Sequence, residues 1–145
     1  PHSSINDERF YNYVPEYTVI HDYLLRALQF IKENCLSVTL ECVPFCFAKG
    51  FEEYIGEIEL RDLKVDFSPV ESKKPLDWQK KRIEIKSKGE NCNNCYFDEL
   101  CEGVWEEYIH YYGGKDLQPV VEIMDFMKVI SKLKVLKNFY NKKKA

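Results

Sequence analysis

The sequence lacks the segments that mark membrane and secreted proteins. No run approaches the roughly 18 consecutive apolar residues that a membrane-spanning helix requires, and no basic region followed by an apolar one opens the chain as in a signal peptide. Positive charge is not in excess either, because 21 Lys and Arg face 24 Asp and Glu, for a net charge of −3. We therefore expect a cytoplasmic protein with no membrane partner and no nucleic-acid partner.

The sequence also lacks the motifs of familiar catalytic and nucleotide-binding sites. It has no glycine-rich phosphate loop, no nucleophile elbow and no His-Glu-x-x-His motif. Its three histidines are isolated, and its paired glutamates are adjacent in sequence, so the two carboxylates of each pair point in different directions. No catalytic residue and no nucleotide-binding residue is assigned, and the substrate is unknown.

What the chain does contain is six cysteines within 145 residues, a length of about one domain. Cys46 ends a Pro-Phe-Cys segment, and Cys92, Cys95 and Cys101 form the motif Cys-x2-Cys-x5-Cys-x-Gly further along. Cysteines so close together in one loop make poor disulfide partners. We therefore expect these four thiols to be reduced and to gather at one metal centre.

The spacing bears on which metal this centre holds. A 4Fe-4S cluster and a zinc ion both take four thiolates, and both tolerate a Cys-x2-Cys pair. Zinc ribbons usually join two such pairs, whereas here one pair is followed by a third cysteine after five residues and completed by a distant one. This asymmetry favours an iron–sulfur cluster, with zinc as the alternative.

Residues beside the cysteines suit a bulky cluster. Gly103 would let the backbone approach it closely. Tyr96, Phe97 and Trp105 would shield it from water, although ordinary core packing explains these aromatic residues equally well.

The two remaining cysteines are predicted to be small buried apolar residues. Cys35 lies where a helix is expected to end, and Cys42 continues the apolar face of an expected strand. Cys46 is preferred to Cys42 as a ligand because it follows Pro44, outside the regular strand.

Apolar periodicity predicts a helix followed by a strand in the first third of the chain. Residues 15–33 show helical spacing, and residues 36–42 alternate between apolar and polar side chains as a strand does. Residues 1–13 show no periodicity and are predicted to be irregular. A cysteine just past the end of such a strand lies where α/β folds usually bind ligands.

The middle of the chain is less regular. Residues 58–67 suggest a second strand, and residues 78–85 favour a short strand because charged and apolar residues alternate there. Residues 98–112 show helical spacing up to Gly113, so Cys101 is expected near the start of a helix.

The chain ends in a predicted amphipathic helix over residues 123–139. After Asp125 every side chain that is charged at neutral pH is a lysine. A solvated helix face with a basic tail explains this pattern, and an RNA contact is the other interpretation.

Several of these features occur together in an order that resembles a known family. They are Val43-Pro44-Phe45-Cys46, Gly50-Phe51-Glu52-Glu53-Tyr54-Ile55, the three clustered cysteines with Gly103 and Tyr108, and then Gly113 and Pro119. Over about residues 15–120 the chain resembles the C-terminal region of radical S-adenosylmethionine (radical SAM) enzymes that carry an auxiliary cluster.

The resemblance implies an α/β fold in three parts. Residues 1–43 would be the last helix and strand of an incomplete (β/α)6 barrel. Residues 44–120 would be a mixed α+β cysteine-rich extension that binds an auxiliary 4Fe-4S cluster through Cys46, Cys92, Cys95 and Cys101. Residues 121–145 would be the C-terminal helix and basic tail.

The resemblance also implies that this chain is the C-terminal part of a longer enzyme. The Cys-x3-Cys-x2-Cys loop that binds the radical-generating cluster and S-adenosylmethionine is absent. The partner would then be the remaining barrel of the same enzyme, S-adenosylmethionine would bind only to the full-length protein, and this part would not be catalytically competent alone. The alternative is a non-catalytic structural zinc or iron–sulfur interaction module.

Overall fold

The computed structural model describes residues 7–57, 66–67 and 76–133. Their α-helices are α1 (Asp7–Tyr13), α2 (Tyr17–Glu33), α3 (Trp78–Glu84), α4 (Glu106–Tyr112) and α5 (Ile123–Lys132). Their strands are β1 (Asp66–Phe67), β2 (Leu76–Asp77), β3 (Lys86–Ser87) and β4 (Val104–Trp105), and 3-10 turns cover Phe45–Phe47, Glu52–Tyr54 and Glu90–Asn94. Within these residues no helix is both long and apolar enough to span a bilayer.

The first helices differ in how well the sequence predicted them. The helix expected over residues 15–33 is confirmed as α2. The expectation that residues 1–13 are irregular is wrong for α1, in which the Phe10 ring stacks on Tyr111 with centroids 4.1 Å apart. A helix of seven residues is marginal alone, so this tertiary contact, rather than periodicity, stabilises it.

The strand predicted over residues 36–42 does not form. Only Leu40 makes a single parallel bridge, with Ile55. Cys42 has a left-handed backbone with φ of 61°, and its amide donates to the Glu57 carboxylate at 3.1 Å instead of to a neighbouring strand. The described residues therefore contain no barrel strand, and a barrel contributed by a longer chain stays a prediction.

Two predictions in the second half are also wrong. Residues 78–84 form α3, not a strand, and Arg82 on this helix is buried against the Glu102 carboxylate, whereas Lys86 follows the helix in β3. The helix expected over residues 98–112 begins only at Glu106, since Gly103, with φ of 84°, turns the chain into β4. Cys101 thus lies in a turn. The predicted end at Gly113 is confirmed, with its amide bonded to the Ile109 carbonyl at 2.8 Å.

The strand predicted over residues 58–67 is described only at Asp66–Phe67, which forms β1 and pairs antiparallel with β2. The amphipathic C-terminal helix is confirmed over Ile123–Lys132. Its predicted continuation to residue 139 and the lysines from Lys134 onward lie outside the described residues.

Two apolar clusters surround the cysteine-bearing segments. One joins α5 to the cysteine loop and consists of Phe45, Ala48, Ile55, Phe97, Leu100, Val129, Ile130 and Leu133. The other joins α4 to the Phe45–Phe47 turn and consists of Phe47, Val104, Tyr108 and Leu117.

The pairing of β3 with β4 positions the cysteine loop. The two strands are antiparallel, with Lys86 opposite Trp105 and Ser87 opposite Val104. Residues 88–103, which include three of the cysteines, therefore form a loop that begins at the end of β3 and ends at the start of β4. The pairing of these two strands closes the loop at its base.

Candidate metal centre

Cys46 is held at the centre of a buried turn. Pro44 leads into the Phe45–Phe47 turn, and the rings of Phe45 and Phe47 are 3% and 5% exposed. These two rings anchor the turn on opposite sides in the two apolar clusters. The position of Cys46 therefore follows from the packing of its neighbours.

The other three predicted ligands lie on consecutive turns of the loop. Cys92 is within the 3-10 turn Glu90–Asn94, and the amide of Cys95 closes that turn by donating to the Cys92 carbonyl at 2.9 Å. The amide of Cys101 donates to the Phe97 carbonyl at 2.8 Å and closes the next turn. Tight turns thus present all three thiols from a short stretch of backbone.

One aromatic contact brings the distant Cys46 to this loop. The Phe45 and Phe97 rings are stacked almost parallel, with centroids 4.6 Å apart and planes at 4°. Phe97 is 1% exposed. Because Phe45 precedes Cys46 and Phe97 lies between Cys95 and Cys101, this stack joins the two cysteine-bearing segments.

All four predicted ligands line one cavity. Cys46, Cys92, Cys95 and Cys101 all lie in the wall of a small cavity with a volume of about 20 Å³. The remaining lining is mainly apolar and includes Phe45, Phe97, Leu117 and prolines, with Lys88, Asp98 and Gln118 as the polar side chains. The structure therefore brings the four cysteines together, and their role as ligands stays a prediction.

Backbone amides are directed at the cysteine sulfurs. Cys95 Sγ accepts from the amides of Phe97 and Val120, each at 3.4 Å, and Cys101 Sγ accepts from the amide of Gly103 at 3.4 Å. Sulfur in a neutral thiol is a weak acceptor. Amide donors of this kind stabilise thiolates and tune metal–sulfur centres.

Cys46, Cys92 and Cys101 favour the neutral, protonated thiol. Burial raises the pKa of Cys46 to about 12, and repulsion from the other three cysteines adds to the shift. Burial likewise raises the pKa of Cys92 and Cys101, although amides and Lys88 act in the opposite direction. Four thiolates in this cavity would need a positively charged group among them, and a metal centre supplies one.

A second link closes the cavity from the side. Lys88 Nζ lies 2.8 Å from Asp98 Oδ1 and also donates to the Asp98 carbonyl oxygen. This pair spans the loop from one side of Cys92 to the other side of Cys95. Both side chains are partly exposed, and exposed ion pairs contribute little stability. The role of this pair is therefore to hold the two sides of the loop together.

The aromatic residues predicted to shield a cluster have different positions. Phe97 lines the cavity. Tyr96 is 43% exposed and stacks on Phe126, and Trp105 is outside the lining, with Lys86 Nζ 5.5 Å from its ring centroid. Of the three, only Phe97 shields the cavity, and Phe45, which the sequence did not single out, shields it as well.

Gly103 is required for a reason other than the one predicted. A Cβ at this position would lie 2.2 Å from the Ser87 carbonyl oxygen. The glycine therefore lets the loop pass close to β3, and in that position its amide reaches Cys101 Sγ. The sequence indicated a close backbone approach but not the partner.

Neither Cys35 nor Cys42 lines the cavity. Cys42 is partly buried, but Cys35 is exposed, so the prediction that Cys35 is a buried apolar residue is wrong. All six cysteines are free thiols.

Sequence reasoning missed a buried group of four charges beside Cys101. Lys86 Nζ lies 2.8 Å from Glu102 Oε2 and contacts Glu57 Oε1, and Arg82 lies 2.5 Å from Glu102 Oε1. Burial alone would lower the pKa of Lys86, but its two carboxylate partners outweigh that effect and raise it. Spacing carried no signal of this network, because its members come from three separate segments.

Among residues 7–57, 66–67 and 76–133, no three His, Cys, Asp or Glu side chains are arranged so that they could hold one metal ion. Comparison of the chain with models of protein families, with curated proteins and with solved structures gives no match.

Proposed function

We propose that this chain binds an iron–sulfur cluster through Cys46, Cys92, Cys95 and Cys101. The observation that carries the proposal is that these four thiols, from two distant segments, line a single cavity. A 4Fe-4S cluster takes one cysteine sulfur at each iron, so its ligands surround a volume and do not converge on a point. Four thiols placed around one cavity match that arrangement of ligands.

The surrounding residues also suit such a cluster. Phe45, Phe97 and Leu117 exclude water from the cavity, and the amides of Phe97, Gly103 and Val120 donate to sulfur. Both features set the stability and the reduction potential of protein-bound clusters. When bound, a 4Fe-4S cluster would supply one-electron transfer, and ligation by four protein thiolates favours electron transfer or structural support over direct substrate binding.

We further propose that this cluster is the auxiliary cluster of a radical SAM enzyme of which the chain is the C-terminal part. The support is the ordered resemblance that runs from Val43 to Pro119. In this proposal the missing barrel holds S-adenosylmethionine and performs the radical chemistry. The test is the coding sequence upstream of Pro1, which we expect to continue and to encode Cys-x3-Cys-x2-Cys. A complete gene without that motif would refute the enzyme assignment and leave the cluster proposal standing.

The cluster proposal is tested by metal content and visible absorption of protein purified without oxygen. We expect about four irons and four sulfides per chain and a brown chromophore that dithionite bleaches. One zinc per chain and no colour would establish the alternative, a structural zinc module. Protein with neither metal, even after reconstitution with iron and sulfide, would overturn both.

Single substitutions then test the ligand set. Cys46→Ala, Cys92→Ala, Cys95→Ala and Cys101→Ala should each lose most of the bound iron. Cys35→Ala is the matched control, because its thiol is exposed and outside the cavity, and it should keep its iron. If Cys46→Ala lost less than a quarter of the iron, Cys46 would not be a ligand, and one iron would be open to substrate.

A further inference from the structure

Helix α2 carries apolar side chains on two opposite faces. Its inner face includes Leu28, which is 1% exposed. A helix turns about 100° per residue, so Val19 points directly away from Leu28, with Tyr23 and Phe30 beside it. These three side chains are 64%, 67% and 60% exposed. Single exposed apolar residues are ordinary, but an apolar stripe along a helix marks a surface that another helix can cover.

The exposed stripe has the spacing of a coiled-coil seam. Val19, Tyr23, Arg26 and Phe30 follow one another at intervals of four, three and four residues, which is the order of the core positions of a heptad. Arg26 belongs to this row together with its aromatic neighbour, because its guanidinium carbon lies 4.9 Å from the centre of the Tyr23 ring. The seam thus consists of two rings, one valine and one cation.

The seam is complementary to itself in one orientation. When two copies of α2 pair antiparallel about a two-fold axis at the middle of the seam, each residue meets the one at the mirrored position of the second copy. Val19 then lies opposite Phe30, and Tyr23 lies opposite Arg26. A small apolar side chain therefore meets a large one, and an aromatic ring meets a cation, and both pairings are favourable.

The same row disfavours a parallel pair of helices. In that orientation each residue would face its own equivalent, so that Arg26 of one copy would face Arg26 of the other. Like charges at a seam position oppose pairing. An antiparallel pair also sets the two helix dipoles against each other in the favourable direction.

We propose that this chain forms a homodimer in which two α2 helices pair antiparallel along Val19, Tyr23, Arg26 and Phe30. A Tyr or Phe side chain buries about 150–250 Å² when it is covered, so the four rings of two copies would together bury roughly 400–650 Å² at their present exposure. Even with the flanking side chains this is the lower end of specific interfaces, below about 1,200 Å², which belongs to weak complexes. The interface lies on α2 and does not depend on the metal centre.

Sedimentation velocity of the full chain between roughly 5 and 500 µM tests the proposal. A reductant is present throughout, because the exposed Cys35 thiol would otherwise link copies through a disulfide. We expect a reversible monomer–dimer equilibrium with a dissociation constant on the order of 10–100 µM. A chain that stays monomeric would overturn the proposal and leave the stripe to another partner, such as the remaining barrel of a longer enzyme. Assemblies larger than a dimer would also overturn it, because a two-fold interface closes.

A matched pair of variants locates the interface. Tyr23→Glu places a charge in the seam and should weaken the dimer roughly tenfold or more. Tyr13→Glu is its control, since this tyrosine is similarly exposed, at 70%, but lies on α1. Equal effects of the two substitutions would place the interface elsewhere. A thermal melt of each variant verifies the fold.

Glu33→Lys tests the orientation of the two helices. Glu16 and Glu33 are the next heptad positions beyond the two ends of the seam, and antiparallel pairing brings them face to face. A lysine in place of Glu33 turns this repulsion into an attraction at both ends and should tighten the dimer about twofold or more. In a parallel pair the new lysine would face its own equivalent, with no such gain. An unchanged or weaker dimer would therefore overturn the antiparallel arrangement.

Discussion

Substituting Gly103 by alanine tests how the cysteine loop is held against the ladder. Gly103 has φ of 84°, and an added Cβ would lie 2.2 Å from the Ser87 carbonyl oxygen and 2.9 Å from its carbon. Both are backbone atoms of β3, so neither can rotate away as a side chain would. The loop, the strand or both must shift.

The magnitude has two parts. A left-handed backbone costs a non-glycine residue about 1–2 kcal/mol. Forcing an extra carbon into a packed site costs about 1–3 kcal/mol more. Gly103→Ala should therefore lower the free energy of unfolding by roughly 2–5 kcal/mol, which is large for a domain of this size.

Gly50→Ala measures the penalty of the left-handed backbone without the packing penalty. Gly50 has φ of 90°, and a Cβ there meets nothing within 4 Å. It should therefore cost only the backbone penalty of about 1–2 kcal/mol. Urea unfolding followed by circular dichroism gives both values.

The difference between the two variants is the informative result. If Gly103→Ala were no more destabilising than Gly50→Ala, the close contact of the loop with β3 would be wrong. Bound iron provides a second measurement, because displacing the Gly103 amide removes a donor to Cys101 Sγ. We expect Gly103→Ala to retain less iron than Gly50→Ala.

Three further predictions follow from the buried groups. Lys86→Met leaves two buried carboxylates without their shared cation and should cost about 3–5 kcal/mol in urea unfolding; a loss below about 1 kcal/mol would contradict the network. Phe97→Ala removes a ring that is 1% exposed between two apolar segments and should cost about 3–5 kcal/mol by the same assay, whereas a near-neutral result would show that the stack does not join them. Stability should fall as pH rises above the ordinary values of 10.0 for tyrosine and 10.5 for lysine, because Tyr17, Tyr108 and Lys86 keep their protons in the folded state after the unfolded chain has lost them. Tyr17→Phe should reduce that slope in thermal melts between pH 9 and 11, and an unchanged slope would refute the contribution of Tyr17.

The sequence was informative where local chemistry decides the outcome. The helix over residues 17–33 and the end of α4 at Gly113 followed from periodicity and from the conformational freedom of glycine. Spacing selected Cys92, Cys95 and Cys101, and the position after Pro44 selected Cys46. The structure places all four around one cavity. Close spacing restricts three of them to one short loop in any fold, so this part depended little on tertiary structure.

Sequence patterns misled where burial overrode them. The alternation of charged residues over 78–85 indicated a strand, but residues 78–84 are helical and Arg82 on that helix is buried against Glu102. The apolar alternation over 36–42 indicated another strand, but Cys42 adopts a left-handed backbone and bonds to Glu57. In both places the partners are far away in the chain, and a local pattern carries no information about them.

The sequence by itself determined the donor set of the candidate centre and the position of the main helix. Only the tertiary structure decided that Cys46 joins the loop through the stack of Phe45 on Phe97, that Gly103 must pass the Ser87 carbonyl, and that one apolar stripe of α2 stays exposed. The physical reason is that spacing and backbone freedom act between near neighbours, whereas ring stacking, buried ion pairs and cavities depend on contacts between residues that folding alone brings together.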